Sequence, residues 1–386
     1  MLVSKEKIDK STSALENVTW RGILMNKSDF LNLIDARNNG VIDKLKECND
    51  NGLRLFIYGA GEGAENIEKR FSAYANFAGR IVDKKYYRGE TGTFPLEDIL
   101  GREKINIIVG HKGFNKSKLE AYEKNIGLLI DMDCFAGNYE VDPELFSREY
   151  VEENVSSLLK VYNQLEDDIS RKHYIAYINQ KISMDYKYLD GVYLDEDQYF
   201  LEDIIKFVDN ECFVDCGAYT GDTADAFVKR IEADGGRYQA IHSFEPDKNN
   251  YEILQERKIK RLHSYCLATG KEKMEMHFSS KGKGSSSGLT FDVNAETIKV
   301  DTIDNILQNQ RVTFIKMDVE GYELDSLTGA ESVIRKNKPK LAICIYHKKE
   351  DLWQIQEYIK SLIPEYKFYV RAYEKTATEL VLYAVV

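Results

Sequence analysis

Residues 213–223 read FVDCGAYTGDT, an apolar run that ends in Asp215 and turns through Gly217 and Gly221 into a helical pattern. Phe213 and Val214 favour a strand, and the apolar period over 223–231 is that of a helix. Glycines let the backbone turn tightly and come close to a ligand where a Cβ would clash. In open α/β sheets, ligands bind outside the carboxyl ends of the strands, which is where this turn lies. The Asp-x-Gly-x-x-x-Gly spacing differs from the dinucleotide fingerprint. An acid ahead of the glycines suits a ligand with an ammonium better than one with a pyrophosphate.

Working outward, the next strand end is 243–247, SFEPD, which places Glu245 30 residues after Asp215. An acid at the end of the second strand is where a ribose diol is gripped. Pro246 then leaves the strand, and Asp247 is placed to cap a helix starting near Lys248. A ligand with both an ammonium and a ribose is S-adenosylmethionine, which adds a sulfonium. The fourth strand end, 314–323 (FIKMDVEGYE), carries Asp318, Glu320 and Glu323. Asp318 is expected at the mouth of the same crevice, with Asp318 and Glu320 as candidates for orienting a substrate or removing its proton. Glu323 is expected to open the next helix and complement its dipole. The fifth strand ends in Cys344-Ile345-Tyr346-His347, so His347 stands at a strand end with an ordinary pKa suited to general-base work. His242 and His263 fall within or beside strands and His111 ends an earlier one; His242 and His263 are expected to be structural. No metal centre is expected.

The chain divides into four stretches. Residues 1–50 show weak helical periodicity. Residues 51–140 alternate strands (53–58, 79–83, 105–109, 128–131) with helices (64–74, 96–100, 116–125), which predicts a small Rossmann-like parallel sheet. Residues 141–205 are helical and Tyr-rich, a connector whose end can cover a site. Residues 206–386 repeat the α/β alternation, with strands at 212–215, 240–245, 262–267, 313–318, 341–346, 367–371 and 379–385. An extra pair, 274–278 and 296–300, flanks the Gly/Ser-rich stretch 279–288. The last two strands are joined by only a few residues, too few for a parallel crossover, so they pair antiparallel. Parallel strands closed by an antiparallel hairpin describe the class I methyltransferase sheet, a Rossmann-like α/β fold.

In the N-terminal sheet, YGAGEGA at 58–64 is a Gly-x-Gly-x-x-Ala turn between strand and helix, with Asp83 22 residues beyond Gly61. Gly59 and Gly61 could cradle the phosphates of a nucleotide-linked sugar at the helix N-terminus, bind a nicotinamide dinucleotide with Asp83, or serve structure alone.

Among 386 residues, 53 Lys and Arg stand against 64 Asp and Glu, a formal charge of −11. That balance argues against nucleic acid and against an anionic membrane surface as partners. Hydrophobic residues make up 43% and charged residues 30%, which suits a packed, folded chain. No apolar run is long enough to span a bilayer and the start lacks a secretory signal, so a cytoplasmic location is expected. Six scattered cysteines without a Cys-x-x-Cys pair do not form a disulfide framework.

The motifs VDCGAYTGDT, SFEPD, IKMDVEGYELDSLTGAESVI and PKLAICIYH resemble the FkbM family of S-adenosylmethionine-dependent methyltransferases, over about residues 190–386. The resemblance implies a class I fold and methylation of a hydroxyl on a sugar or polyketide-type natural product. It places the cofactor on Asp215, Gly217, Ala218, Gly221, Asp222, Thr223 and Glu245, with Pro246 and Asp318 beside it. Members often carry a Glu after the fifth strand, where this chain has His347. The expected base is therefore His347 or Asp318, with Glu320 orienting the acceptor hydroxyl. By position, Tyr193, Tyr199, Arg371 and Tyr373 are candidates to line the acceptor pocket. The expected partner is a small carbohydrate or nucleotide sugar, and a homo-oligomer is compatible with all of this. Two other functions stay open: a nicotinamide-dependent sugar oxidoreductase using Gly59 and Gly61, and a binding module on a methyltransferase fold without turnover.

Overall fold

The computed structural model describes residues 24–38, 40–110, 116–131, 146–195, 198–279, 288–289, 296–375 and 377–386. His111 and nearly all of the Gly/Ser-rich stretch lie outside them, as do 1–23 and 141–145.

Strands β1 (Leu55–Tyr58), β2 (Phe77–Val82), β3 (Thr93–Pro95), β4 (Ile105–Val109) and β5 (Ile126–Asp131) form an all-parallel sheet in the order β3-β2-β1-β4-β5. Every residue of β1 and β4 is buried, as parallel strands covered on both faces must be. Strand β3 is an addition to the four expected. It is three residues long, ends in Pro95 and lies at the sheet edge, where a missing N–H is tolerated. The 116–125 stretch is helical as expected, but winds as a 3-10 helix.

Beyond the connector come β6 (Glu211–Cys216), β7 (Tyr238–Phe244) and β8 (Leu262–Tyr265). A small sheet follows, of β9 (Ala268–Thr269), β10 (Met274–Ser279), β11 (Gly288–Leu289) and β12 (Glu296–Asp301), in which the expected extra pair, β10 and β12, runs antiparallel. The chain then returns through β13 (Phe314–Met317), β14 (Lys340–Cys344), β15 (Lys367–Ala372) and β16 (Leu380–Val385). The main sheet has the order β15-β16-β14-β13-β6-β7-β8, with β16 antiparallel to both neighbours. This is the expected α/β sheet closed by a hairpin. The order reverses direction beside β6, and that reversal sets a crevice at the carboxyl ends of β6 and β13.

Alternation along β6 and β13 sends side chains to two cores. Phe213 and Phe314 face one of them, where Phe213 stacks on Phe227 at 4.7 Å and Phe200 closes the cluster. Val214, Cys216, Ile315 and Met317 face the other, shared with Val155, Leu158, Tyr174 and Ile178 of the connector helices. Those helices, Arg148–Glu153, Val155–Gln164 and Asp168–Ser183, therefore pack on the main sheet itself. The last of them lies along the outer edge of β15. There Val370 N–H donates to Ser170 Oγ at 2.9 Å and Ala372 N–H to His173 Nδ1 at 2.8 Å. Edge groups that would otherwise template another strand are thus occupied. Among the described residues, no helix is long and apolar enough to cross a membrane.

Candidate active site

The turn after β6 holds both glycines in the left-handed region, Gly217 at φ 74 and Gly221 at φ 86. A Cβ on Gly217 would lie 1.8 Å from the Asp318 carbonyl oxygen, and one on Gly221 2.8 Å from the Leu254 side chain. Packing against the end of β13 and against the helix Lys248–Gln255 therefore already demands glycine at both positions. Gly217 N–H and Ala218 N–H both donate to the Phe244 carbonyl at 3.0 Å, which ties the turn to the end of β7. Gly221 then opens the helix Asp222–Ala233 without a side-chain cap.

Asp215 is fully buried at the strand end. Lys316, its register partner on β13, brings Nζ to 3.2 Å from Oδ1, and neither Asp215 oxygen accepts a hydrogen bond. Burial lifts the Asp215 carboxyl to about 6, with Lys316 pulling the other way. Lys316 Nζ also donates to the Gly217 carbonyl at 2.8 Å. Burial works against its charge, but Asp215 and Asp318 outweigh burial and hold it firmly protonated.

Glu245 is buried as well and turns its oxygens onto the turn. Oε2 accepts from Tyr219 N–H at 2.8 Å and Oε1 from Asp247 N–H at 2.9 Å. Burial lifts its carboxyl to about 7 despite those bonds. Pro246 is half-buried, and Asp247 caps the helix Lys248–Gln255 as expected.

At the mouth of β13, Asp318 accepts from two tyrosines, Tyr346 Oη at Oδ1 and Tyr199 Oη at Oδ2, each at 3.1 Å. Burial would raise its pKa, yet Lys316, His347 and the two hydroxyls together lower it. His347 has Glu323 Oε1 2.9 Å from Nδ1, with Asp318 Oδ1 and Glu320 Oε2 each 3.5 Å from Nε2. Burial depresses the imidazole, but Glu323, Asp318 and Glu320 together raise it to about 10. In this arrangement the carboxylates favour the protonated ring, a donor, over the free imidazole that a general base requires, until a cation takes the place of the Nε2 proton. Glu323 does begin a helix, Glu323–Thr328, but it is fully buried against His347 and accepts from Val319 N–H, rather than standing in solvent at a dipole.

A cavity of about 500 Å³ opens beside these groups, lined by Tyr199, Asp222, Thr223, Tyr373 and Glu379 among others. Burial and the Asp318 charge push the Glu379 carboxyl up to about 8, against a hydrogen bond from Gln198. Two of the expected pocket residues are elsewhere. Arg371 is buried and clamps the hairpin to the connector, donating to Asp167 Oδ2 at 2.7 Å and Ser170 Oγ at 2.7 Å. With Nη1 also donating to the Val370 carbonyl and the side chain buried, this guanidinium serves the fold and not the cavity. Tyr193 packs against the connector-side core.

Gly59 and Gly61 belong to the other sheet, at φ 122 and as the uncapped start of the helix Glu62–Phe71. Asp83 is engaged by the Tyr58 hydroxyl and by Lys118 Nζ at 3.3 Å.

Sequence reasoning missed Lys316, Glu323 as a partner of His347, Tyr346 and Glu379. Lys316 carried a signal: a lone charge inside the apolar strand FIKM is affordable only with a buried counter-charge across the ladder. Glu379 carried none, because it reaches the site by the hairpin's return.

A family model described as the methyltransferase FkbM domain matches residues 215–371. The chain carries a methyltransferase FkbM domain. That match starts at Asp215 and takes in Glu245, Asp318 and His347, and an FkbM domain implies methyltransferase activity with S-adenosylmethionine as donor. The crystal structure of the methyltransferase FkbM from Methylobacillus flagellatus KT is similar in fold, with a TM-score of 0.66 at 20% identity. The alignment covers 97% of this chain and 97% of that one, so the likeness of fold extends over the N-terminal sheet beside the FkbM domain. Comparison with curated proteins gave no match.

Proposed function

We propose that this FkbM-type methyltransferase transfers a methyl group from S-adenosylmethionine to a hydroxyl of a carbohydrate or related natural product. The observation that carries the proposal is the buried Asp215 carboxylate, paired through Oδ1 with Lys316 but with Oδ2 accepting no hydrogen bond, standing one strand away from Glu245. A buried carboxylate oxygen that no donor meets suits a ligand that brings one. The ammonium of a methionine moiety suits Asp215, and a ribose diol suits Glu245. Gly217, Ala218, Gly221, Asp222, Thr223 and Pro246 form the surrounding turns.

When bound, that cofactor supplies an activated sulfonium methyl. The protein's own part is then mostly positioning, which can supply several kcal/mol of the barrier. Asp318, fixed by Tyr199 and Tyr346, holds a carboxylate where an acceptor hydroxyl would need one. Tyr199, Tyr373 and Glu379 give the cavity phenols and a carboxyl that pair with sugar hydroxyls. For a nucleotide-linked sugar, Gly59 and Gly61 offer a turn at a helix start that suits phosphates. The nicotinamide alternative gains nothing, since Asp83 is already held by Tyr58 and Lys118.

The test is thermal unfolding with S-adenosylmethionine or its demethylated product, followed by transfer of a labelled methyl group to a panel of sugars and nucleotide sugars. A raised melting temperature and label on a sugar are expected. No shift at millimolar cofactor would remove the proposal.

A further inference from the structure

Four side chains converge at the ends of β13 and β14 in a pattern that hydroxyl positioning alone does not require. The His347 ring has Glu323 at one nitrogen and both Asp318 and Glu320, each at 3.5 Å, at the other. Its side chain is 4% exposed, and Nε2 makes no hydrogen bond. Glu323 Oε2 is also buried without a hydrogen bond. Asp318, Glu323 and His347 each offer a ligand atom within 4.8 Å of the other two.

We propose that this cluster is a divalent-cation site, with His347 Nε2, Asp318 and Glu320 as ligands and Glu323 orienting the ring from Nδ1. Metal-bound histidines commonly lean their second nitrogen on a carboxylate, and Glu323 is itself held by Val319 N–H at 2.9 Å. Metal–ligand distances of about 2.0–2.2 Å put neighbouring ligand atoms roughly 3 Å apart, so the two Nε2–carboxylate separations of 3.5 Å need only a small closure, while Glu320 must swing in toward Asp318. Glu320, with a side chain 39% exposed, is the ligand able to move. One imidazole with two carboxylates is a mixed set that suits Mn²⁺ or Zn²⁺.

The role of the ion, though not its binding, rests on the O-methyltransferase reading. The acceptor hydroxyl oxygen binds the ion, which lowers its pKa, and its proton leaves to water. That oxygen's electron pair then forms the O–C bond as the S–C bond breaks, with the S–C pair staying on sulfur in S-adenosylhomocysteine.

The experiment titrates the EDTA-treated full chain with Mn²⁺, following the free ion by electron paramagnetic resonance, and measures S-adenosylmethionine binding separately by calorimetry. One Mn²⁺ per chain is expected, weakened at least about tenfold in Glu320→Gln, a half-exposed position where folding is safe. Uptake of Mn²⁺ without cofactor binding would uphold the site and remove the methyl-transfer role. Cofactor binding with no Mn²⁺ uptake at millimolar concentration would overturn the site and leave that role standing. Uptake left unchanged by both Glu320→Gln and Asp318→Asn would overturn it equally.

Discussion

Lys316 Nζ stands 3.2 Å from Asp215 Oδ1, with the two side chains 2% and 0% exposed. They face each other across adjacent parallel strands, directly beneath the Gly217 turn. A charge this deep is tolerated only with its partner, so the pair locks β6 to β13 where the crevice begins.

Removing one member should be far worse than removing both. Lys316→Met leaves the Asp215 carboxylate buried alone and is expected to cost about 3–5 kcal/mol. Adding Asp215→Asn should recover much of that loss. Urea unfolding of the two single variants and the double variant measures the coupling; additive costs would show that the pair does not act as one.

The Glu245 carboxyl, raised from 4.5 to about 7, makes stability depend on pH. A folded pKa above the unfolded one means the native chain holds more protons across that window. The stabilisation is complete below the unfolded value and is lost as pH rises through the folded one. Asp215, raised to about 6, acts in the same direction. The cofactor-free protein should therefore be less stable at about pH 8 than at about pH 5, and Glu245→Gln should shrink that difference by on the order of 1–3 kcal/mol. Urea midpoints at the two pH values check this, and an undiminished difference in the variant would contradict it.

The outer edge of β15 predicts a different failure. His173 accepts from Ala372 N–H with a ring that burial, chiefly, and nearby Arg371 hold neutral, its pKa lowered to about 3. His173→Leu leaves that N–H unpaired, at about 1–3 kcal/mol, and opens the edge to other chains. A lower melting temperature together with increased light scattering is expected. A variant as stable and monodisperse as the parent would show that the helix Asp168–Ser183 does not guard the edge.

Much of the architecture was legible because parallel strands announce themselves as apolar runs closed by acids and glycines, as in FVDCGAYTGDT and SFEPD. The hairpin followed from the shortness of its loop. Strand β3 escaped because three residues carry no periodicity. The site was legible only along single strand ends. Asp215, Glu245 and Asp318 could be named there, but the contacts that set their chemistry come from across the sheet. Lys316, Tyr346 and Glu379 reach them through register and strand order. Arg371 was misjudged because an arginine on a hairpin says nothing about the helix behind it. The surroundings of His347 were not legible either, because Asp318, Glu320 and Glu323 meet it from the neighbouring segment 318–323.

The most direct test is calorimetric titration of S-adenosylmethionine into the wild-type chain and into Glu245→Ala. One cofactor per chain is predicted, with affinity in the variant reduced by about tenfold or more, as expected when a charge-assisted hydrogen-bond acceptor is removed. No binding to the wild type, or equal binding to both proteins, would contradict the account.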